Sequence, residues 1–103
     1  MKWQWVRNER FPELIYAMKI ESSKRFHKAY ARLSPTQRKA VDKALLAYGE
    51  NRHHPALQDH ALKGKMQGLR AFSAGWDLRV IYREEGGFIT IVLIDAGTHN
   101  QVY

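Results

Sequence analysis

With 103 residues, 45% apolar content and no cysteine, the chain has the size and apolar content for one domain with its own core, and disulfide staples, thiolate chemistry and a cysteine zinc site are excluded. Seventeen Lys and Arg against ten Asp and Glu leave a charge of +7, which fits a polyanion or an acidic protein partner as well as a merely basic surface. No apolar run approaches the ~20 residues of a membrane span, and the opening Met1-Lys2-Trp3-Gln4-Trp5-Val6-Arg7 lacks a signal-peptide core, so a cytoplasmic protein with no membrane partner is expected.

Residues 1–13 read as an extension laid on a single domain over 14–103: Trp3 and Trp5 alternate with Lys2 and Gln4 as in a short strand, and Phe11-Pro12 interrupts the run. Leu14 to Glu21 fits a first strand. Ser22-Ser23 then marks a helix start, because a hydroxyl at the N-cap satisfies free amides of the first turn. A helix over 23–33 places Phe26, Tyr30 and Leu33 on a buried stripe and Lys24, Lys28 and Arg32 on a basic one, with His27 at the surface. Ser34-Pro35-Thr36-Gln37 opens a second helix with a hydroxyl cap, proline at N1 and a glutamine placed to close a capping box. It presents Val41, Leu45 and Tyr48 on one face, with Ala40, Ala44 and Ala47 alongside, and stops near Gly49 to Asn51. Asn51 to Gly68, with Pro55, Gly64 and Gly68, reads as a long polar connecting loop of the kind that often carries function.

From Gly68 onward the pattern is a meander. Three β-rich runs are broken at Gly75-Trp76 and at Gly86-Gly87, and the second pair of glycines can take the positive φ angles of a two-residue hairpin turn. Leu78, Val80 and Tyr82 alternate with Arg79, Ile81 and Arg83, so one sheet face is apolar while the other carries two guanidinium groups. Phe88 to Ile94 is almost uninterrupted apolar and is expected to be the central strand. The fold class is α+β: a small antiparallel sheet packed against an N-terminal helical hairpin, its second face left free for a ligand.

Five histidines are candidates for chemistry. His53 and His54 are adjacent, which makes joint binding of one ion awkward, and their place at a helix C-terminus suits a cation without any metal. No metal or cofactor is expected. His60 precedes the meander and His99 follows its last strand, so the sheet can bring them to one edge, together with Asp77 at a turn and Arg79 on the next strand. Imidazoles, a carboxylate and guanidinium groups are what metal-free RNA cleavage needs: a base for the 2′-hydroxyl, an acid for the departing 5′-oxygen and cations for the phosphate. Spacing alone also allows these to be ordinary solvated side chains, with Asp77 paired to an arginine.

The run Asp59-His60-Ala61-Leu62-Lys63-Gly64, then Gly68-Leu69-Arg70, Asp77-Leu78-Arg79-Val80-Ile81-Tyr82-Arg83 and Gly97-Thr98-His99 with Tyr103 four residues on resembles the RelE/ParE toxin superfamily, and within it the YafQ branch of ribosome-dependent mRNA interferases. The resemblance covers roughly residues 15 to 103 and is strongest from Asp59 onward. It implies a RelE-like fold, a toxin that cuts mRNA in the ribosomal A site by metal-independent catalysis, and a cognate antitoxin that silences it. By the same resemblance the catalytic pattern falls on His60, Asp77, His99 and Tyr103, with Arg79 where the wider RelE group has a phosphate-stabilising arginine. His99 would transfer a proton, His60 and Asp77 would support transfer or orient the substrate, and Tyr103 would stack on a base or donate from its hydroxyl. Phosphates of mRNA and ribosomal RNA would meet Lys63, Lys65, Arg70 and Arg83 and the Lys24/Lys28/Arg32 stripe. Ser73 stands where YafQ-like proteins usually carry a further histidine, and Leu78 where an aromatic commonly follows the aspartate. A ParE-like inhibitor of DNA gyrase on the same fold, or an antitoxin-binding homologue without catalysis, remains as an alternative.

Overall fold

The computed structural model describes residues 5–6, 18–87 and 90–103. Most of residues 1–17 lies outside them, and with it the greater part of the expected extension and the start of the first expected strand, as do Phe88 and Ile89.

The helical layer forms where the capping residues place it. Ser23 accepts from the Phe26 amide to start α1 (Lys24–Arg32), and Ser34 accepts from the Gln37 amide while the Gln37 side chain accepts from the Ser34 amide, closing the capping box of α2 (Pro35–Glu50). Asn51 ends α2 by donating its amide to the Ala47 carbonyl. Phe26, Ala29 and Leu33 of the first hairpin arm and Val41, Ala44, Leu45 and Tyr48 of the second are buried against the sheet. Unlike the surface residue expected from sequence, His27 is half-buried, its Nε2 lying 2.7 Å from Ser22 Oγ.

Among the described residues six strands form the sheet: β1 (Trp5–Val6), β2 (Met18–Ser22), β3 (His60–Ala61), β4 (Arg70–Ser73), β5 (Leu78–Glu85) and β6 (Thr90–Thr98), in the order β1-β2-β6-β5-β4-β3. The expected meander is β4-β5-β6, and β6 is central, flanked by β2 and β5. Three features differ from expectation. The sheet is mixed, because the two-helix crossover brings β2 alongside β6 in parallel. The long loop is built rather than open: it holds two single-turn 3-10 helices (Pro55–Leu57 and Gly64–Met66), buries Leu57, and contributes β3 as an edge strand on β4. Gly86 and Gly87 do take positive φ (62° and 65°), but the last pair among the described residues is Glu85 with Thr90, a register that does not centre a two-residue turn on the two glycines.

The second sheet face is not free. Ala71 and Ile81 are covered by Val102 of the terminal turn α3 (His99–Val102), and Leu62, Met66, Leu69 and Ile94 pack around them. Leu62 and Met66 belong to the long loop and Val102 to the tail, where the polarity of their neighbours hides them in the sequence. A bulge on β6 opposite Ile81 and Tyr82 makes Ile94 the extra residue, after which Asp95 turns toward α1 and meets Arg25 at 3.1 Å.

Candidate functional site

His60 is fixed by the backbone on either side of it. Gln58 adopts a left-handed conformation (φ 49°), and its carbonyl lies 2.8 Å from His60 Nδ1. A carbonyl only accepts, so Nδ1 carries the proton and the neutral ring offers its Nε2 lone pair. His60 pairs with Ala71 across β3 and β4, which puts it on the face covered by α3.

Arg79 and Ser73 are cross-strand partners on that same face. The Arg79 Nη1 donates to Ser73 Oγ (3.3 Å) and to the Leu78 carbonyl (3.2 Å), while Ser73 donates to the Gly75 carbonyl at 2.9 Å. Ser73 is thus buried and steadies the guanidinium from behind. Between these strands Gly75 and Asp77 both have positive φ (107° and 51°), the second tolerable because aspartate enters this region more readily than most residues. The turn leaves Trp76 94% exposed.

The tail is a helical turn. Asp77 Oδ1 accepts from the His99 amide (3.3 Å), and Gln101 Oε1 accepts from the Thr98 amide (2.8 Å), so α3 is anchored at its start both from the head of β5 and from within. Asp77 therefore meets the backbone of His99, where the sequence had offered an arginine. The His99 and Tyr103 rings meet edge to face with centroids 4.7 Å apart. Partial burial raises the Tyr103 pKa above its ordinary value, opposed by the nearby Arg79 charge, which keeps the phenol protonated at neutral pH.

His60, Arg79, His99 and Tyr103 line one open cleft of about 400 Å³. Of the five residues expected to be catalytic, four share this cleft and Asp77 supports it from beneath α3. A second cavity of about 390 Å³, between α1, β6 and α3, holds Arg25, Arg32 and Asp95 and no imidazole.

The residues expected to hold phosphates are dispersed. Lys63 and Lys65 are exposed on the loop that leaves β3. Lys24, Lys28 and Arg32 lie on α1, in the layer on the opposite side of the sheet. Arg83 is paired to Glu85 at 3.0 Å, four residues along β5 from Arg79. Arg70 is turned inward and donates to Asp59 (2.9 Å) and to Tyr82 (3.2 Å). Little in the residue order announces that inner network: a carboxylate beside His60, with an arginine and a tyrosine that pair across β4 and β5, is the available sign. Among the described residues no group of three or more His, Asp or Glu side chains is arranged to hold a metal ion, and no helix is long and apolar enough to cross a membrane.

Comparison with known proteins agrees with this architecture. No curated protein matches the chain in sequence. Among solved structures, the chain is similar to YafQ from Escherichia coli strain BL21(DE3) (TM-score 0.63, 21% identity, 84% of this chain and 98% of that one). It is also similar to a conserved hypothetical protein of Helicobacter pylori (TM-score 0.66, 24% identity, 84% and 99%) and to the RelBE2 toxin-antitoxin complex of Mycobacterium tuberculosis (TM-score 0.64, 16% identity, 78% and 95%). At these identities the likeness is one of fold. The model of the YafQ family, bacterial toxins of type II toxin-antitoxin systems, matches residues 18–103, and with that match over most of the chain the protein belongs to this family.

Proposed function

We propose that this toxin is an endoribonuclease that cuts mRNA in the ribosomal A site by acid-base catalysis without a metal. The observation that supports this reading best is the gathering of His60, Arg79, His99 and Tyr103 around one cleft. As a type II toxin its protein partner is an antitoxin; the ribosome and its message are the proposed targets.

In this reading His60 is the general base. With Nδ1 held by the Gln58 carbonyl, its Nε2 takes the proton of the 2′-hydroxyl, whose oxygen then attacks the adjacent phosphorus. The bond to the 5′-oxygen breaks and His99, protonated, gives its proton to that leaving oxygen, so a 2′,3′-cyclic phosphate and a 5′-hydroxyl result. Arg79 engages Ser73 and Leu78 through Nη1, and its other N–H groups face the charge that grows on the phosphoryl oxygens. Tyr103, neutral and half-exposed, stacks on a base or donates from its hydroxyl.

The test is primer extension on a defined message in translating ribosomes, with the intact protein and with His99→Ala. Cleavage inside the A-site codon that needs ribosomes and disappears in the variant is the expected result. Intact message under an arrested culture would overturn the reading and direct attention to gyrase supercoiling, the activity of the ParE-like alternative.

A further inference from the structure

Outside the cleft, the most heavily bonded carboxylate among the described residues is Asp59. Its side chain is 4% exposed. Oδ1 accepts a short hydrogen bond from the Tyr82 hydroxyl, and Oδ2 accepts from Arg70 (2.9 Å) and Arg52 (3.3 Å). Tyr82 in turn accepts from Tyr48 (3.0 Å) and from Arg70 Nε (3.2 Å), so the network reaches from α2 through β5 and β4 to the residue just before β3. Two cations and a phenol on one buried carboxylate exceed what a two-residue edge strand needs to stay paired.

Strand geometry gives this arrangement a direction. Neighbouring residues of an extended chain point to opposite faces, so a carboxylate drawn down into the helical side forces the next side chain up on the other. That next residue is His60, and the other face is where Arg79, His99 and Tyr103 line the cleft. The Gln58 carbonyl fixes the ring's tautomer from one side of Asp59, while Asp59 fixes where the ring stands. Without the carboxylate, β3 would be held to β4 chiefly by backbone bonds at the sheet's outer edge.

We infer that Asp59 is a positioning residue for His60: clamped by Arg70, Arg52 and Tyr82, it sets the imidazole in the cleft without touching substrate. The inference rests on the proposed cleavage reading for its kinetic expression, though not for its structural one.

A double-mutant cycle with a spectroscopic arm tests it. Single-turnover cleavage in translating ribosomes is measured for the intact protein, Asp59→Asn, His60→Ala and the double variant, each at temperatures where circular dichroism shows it folded. Asp59→Asn is expected to slow the rate about 10- to 100-fold, as for a catalytic group misplaced by about an ångström, with the half-saturating toxin concentration held. In the His60→Ala background the same change is expected to do nothing, because the group it positions is gone. Loss of general stability would slow both backgrounds alike. Multiplicative effects, or an Asp59→Asn protein as fast as the parent, overturn the inference. Should Asp59→Asn not fold, Tyr82→Phe removes one of the three clamps and is expected to give a smaller loss that also vanishes with His60→Ala; equal losses in both backgrounds overturn the inference. If the parent itself leaves mRNA whole, the cleavage reading has failed and the ring resonances decide. A shift of His60 alone in Asp59→Asn, with His27 and His99 unmoved, upholds the inference, and an unmoved His60 ends it.

Discussion

At the scale of single residues, the division of labour between the two imidazoles makes a chemical prediction. If His99 protonates the departing 5′-oxygen, replacing that oxygen by sulfur removes the need for it, because a thiolate leaves without a proton. His99→Ala is therefore expected to lose about 10²- to 10⁴-fold on an ordinary message and to recover most of that on a message carrying a 5′-bridging phosphorothiolate. His60→Ala is expected to stay slow on both. Equal defects on the two messages would remove His99 from the acid role. Much of the cleft was legible in the sequence, where the resemblance points to His60, Asp77, Arg79, His99 and Tyr103, four of which line it. What was not legible is who holds whom. A serine two residues before a glycine does not announce that it will steady Arg79, and nothing in the composition of β4 and β5 shows that Arg70 will turn inward while Arg79 turns out. That depends on strand parity, which a one-residue slip of register reverses.

At the scale of elements, α3 is the piece on which the site depends and the one least visible beforehand. It is only four residues long, too short to hold itself in water, and it exists because Val102 is buried on Ile81 and Ala71 while Asp77 and Gln101 accept from the amides at its start. Gly97 is the hinge point of that packing. A Cβ added there would sit 2.8 Å from Gln101 Oε1 and 3.1 Å from Gln101 Cβ, and would push the amide group off its bond to Thr98. Gly97→Ala is expected to cost roughly 1–3 kcal/mol by overpacking, to lower Tm by roughly 4–8 °C for each of those kcal/mol, and to reduce cleavage more than stability because His99 and Tyr103 ride on the displaced turn. Calorimetry beside the cleavage assay checks this; unchanged cleavage in the alanine variant would show that α3 is not what places His99. By contrast α1 and α2 were readable nearly to the residue, because Ser23, Ser34, Pro35 and Gln37 are local signals that act within one turn, whereas β3 and α3 are made by packing and pairing with residues outside their own segments.

At the scale of the whole molecule, charge and burial govern how the protein responds to its medium. Burial raises the Tyr48 hydroxyl to about 12, and burial together with the hydrogen bond to Asp59 raises Tyr82 as well. Both phenols ionise at about 10 once unfolded, so above that pH the folded chain binds more protons than the unfolded one and stability falls. The expected slope is about 1.4 kcal/mol per pH unit for each tyrosine, with the contribution full below pH 10 and drawn down as pH passes through the Tyr48 value. Urea unfolding at pH 9, 10 and 11 measures it, and Tyr82→Phe is expected to reduce the slope; a level profile would contradict the buried network. The net +7 leads to a second expectation. Affinity for ribosomes should fall steeply with salt, and changing Lys24, Lys28 and Arg32 to glutamine should reduce the logarithmic slope by about 2, near 0.7 for each phosphate of single-stranded RNA that is no longer neutralised. An unaltered slope would show that the α1 stripe, which lies across the sheet from the cleft, does not meet RNA.

The order of strands carries one more consequence. β6 stands between β2 and β5, yet in the chain it comes after both. A growing chain can assemble its helical hairpin early, but until residues 90–98 have left the ribosome β2 and β5 have no common neighbour, and Tyr82 and Ile20 lack Ile91, Leu93 and Ala96 of the core that encloses them. The cleft waits longer still, since His99 and Tyr103 follow. A cleft proposed to act on mRNA is in this way completed only after the sheet that carries it.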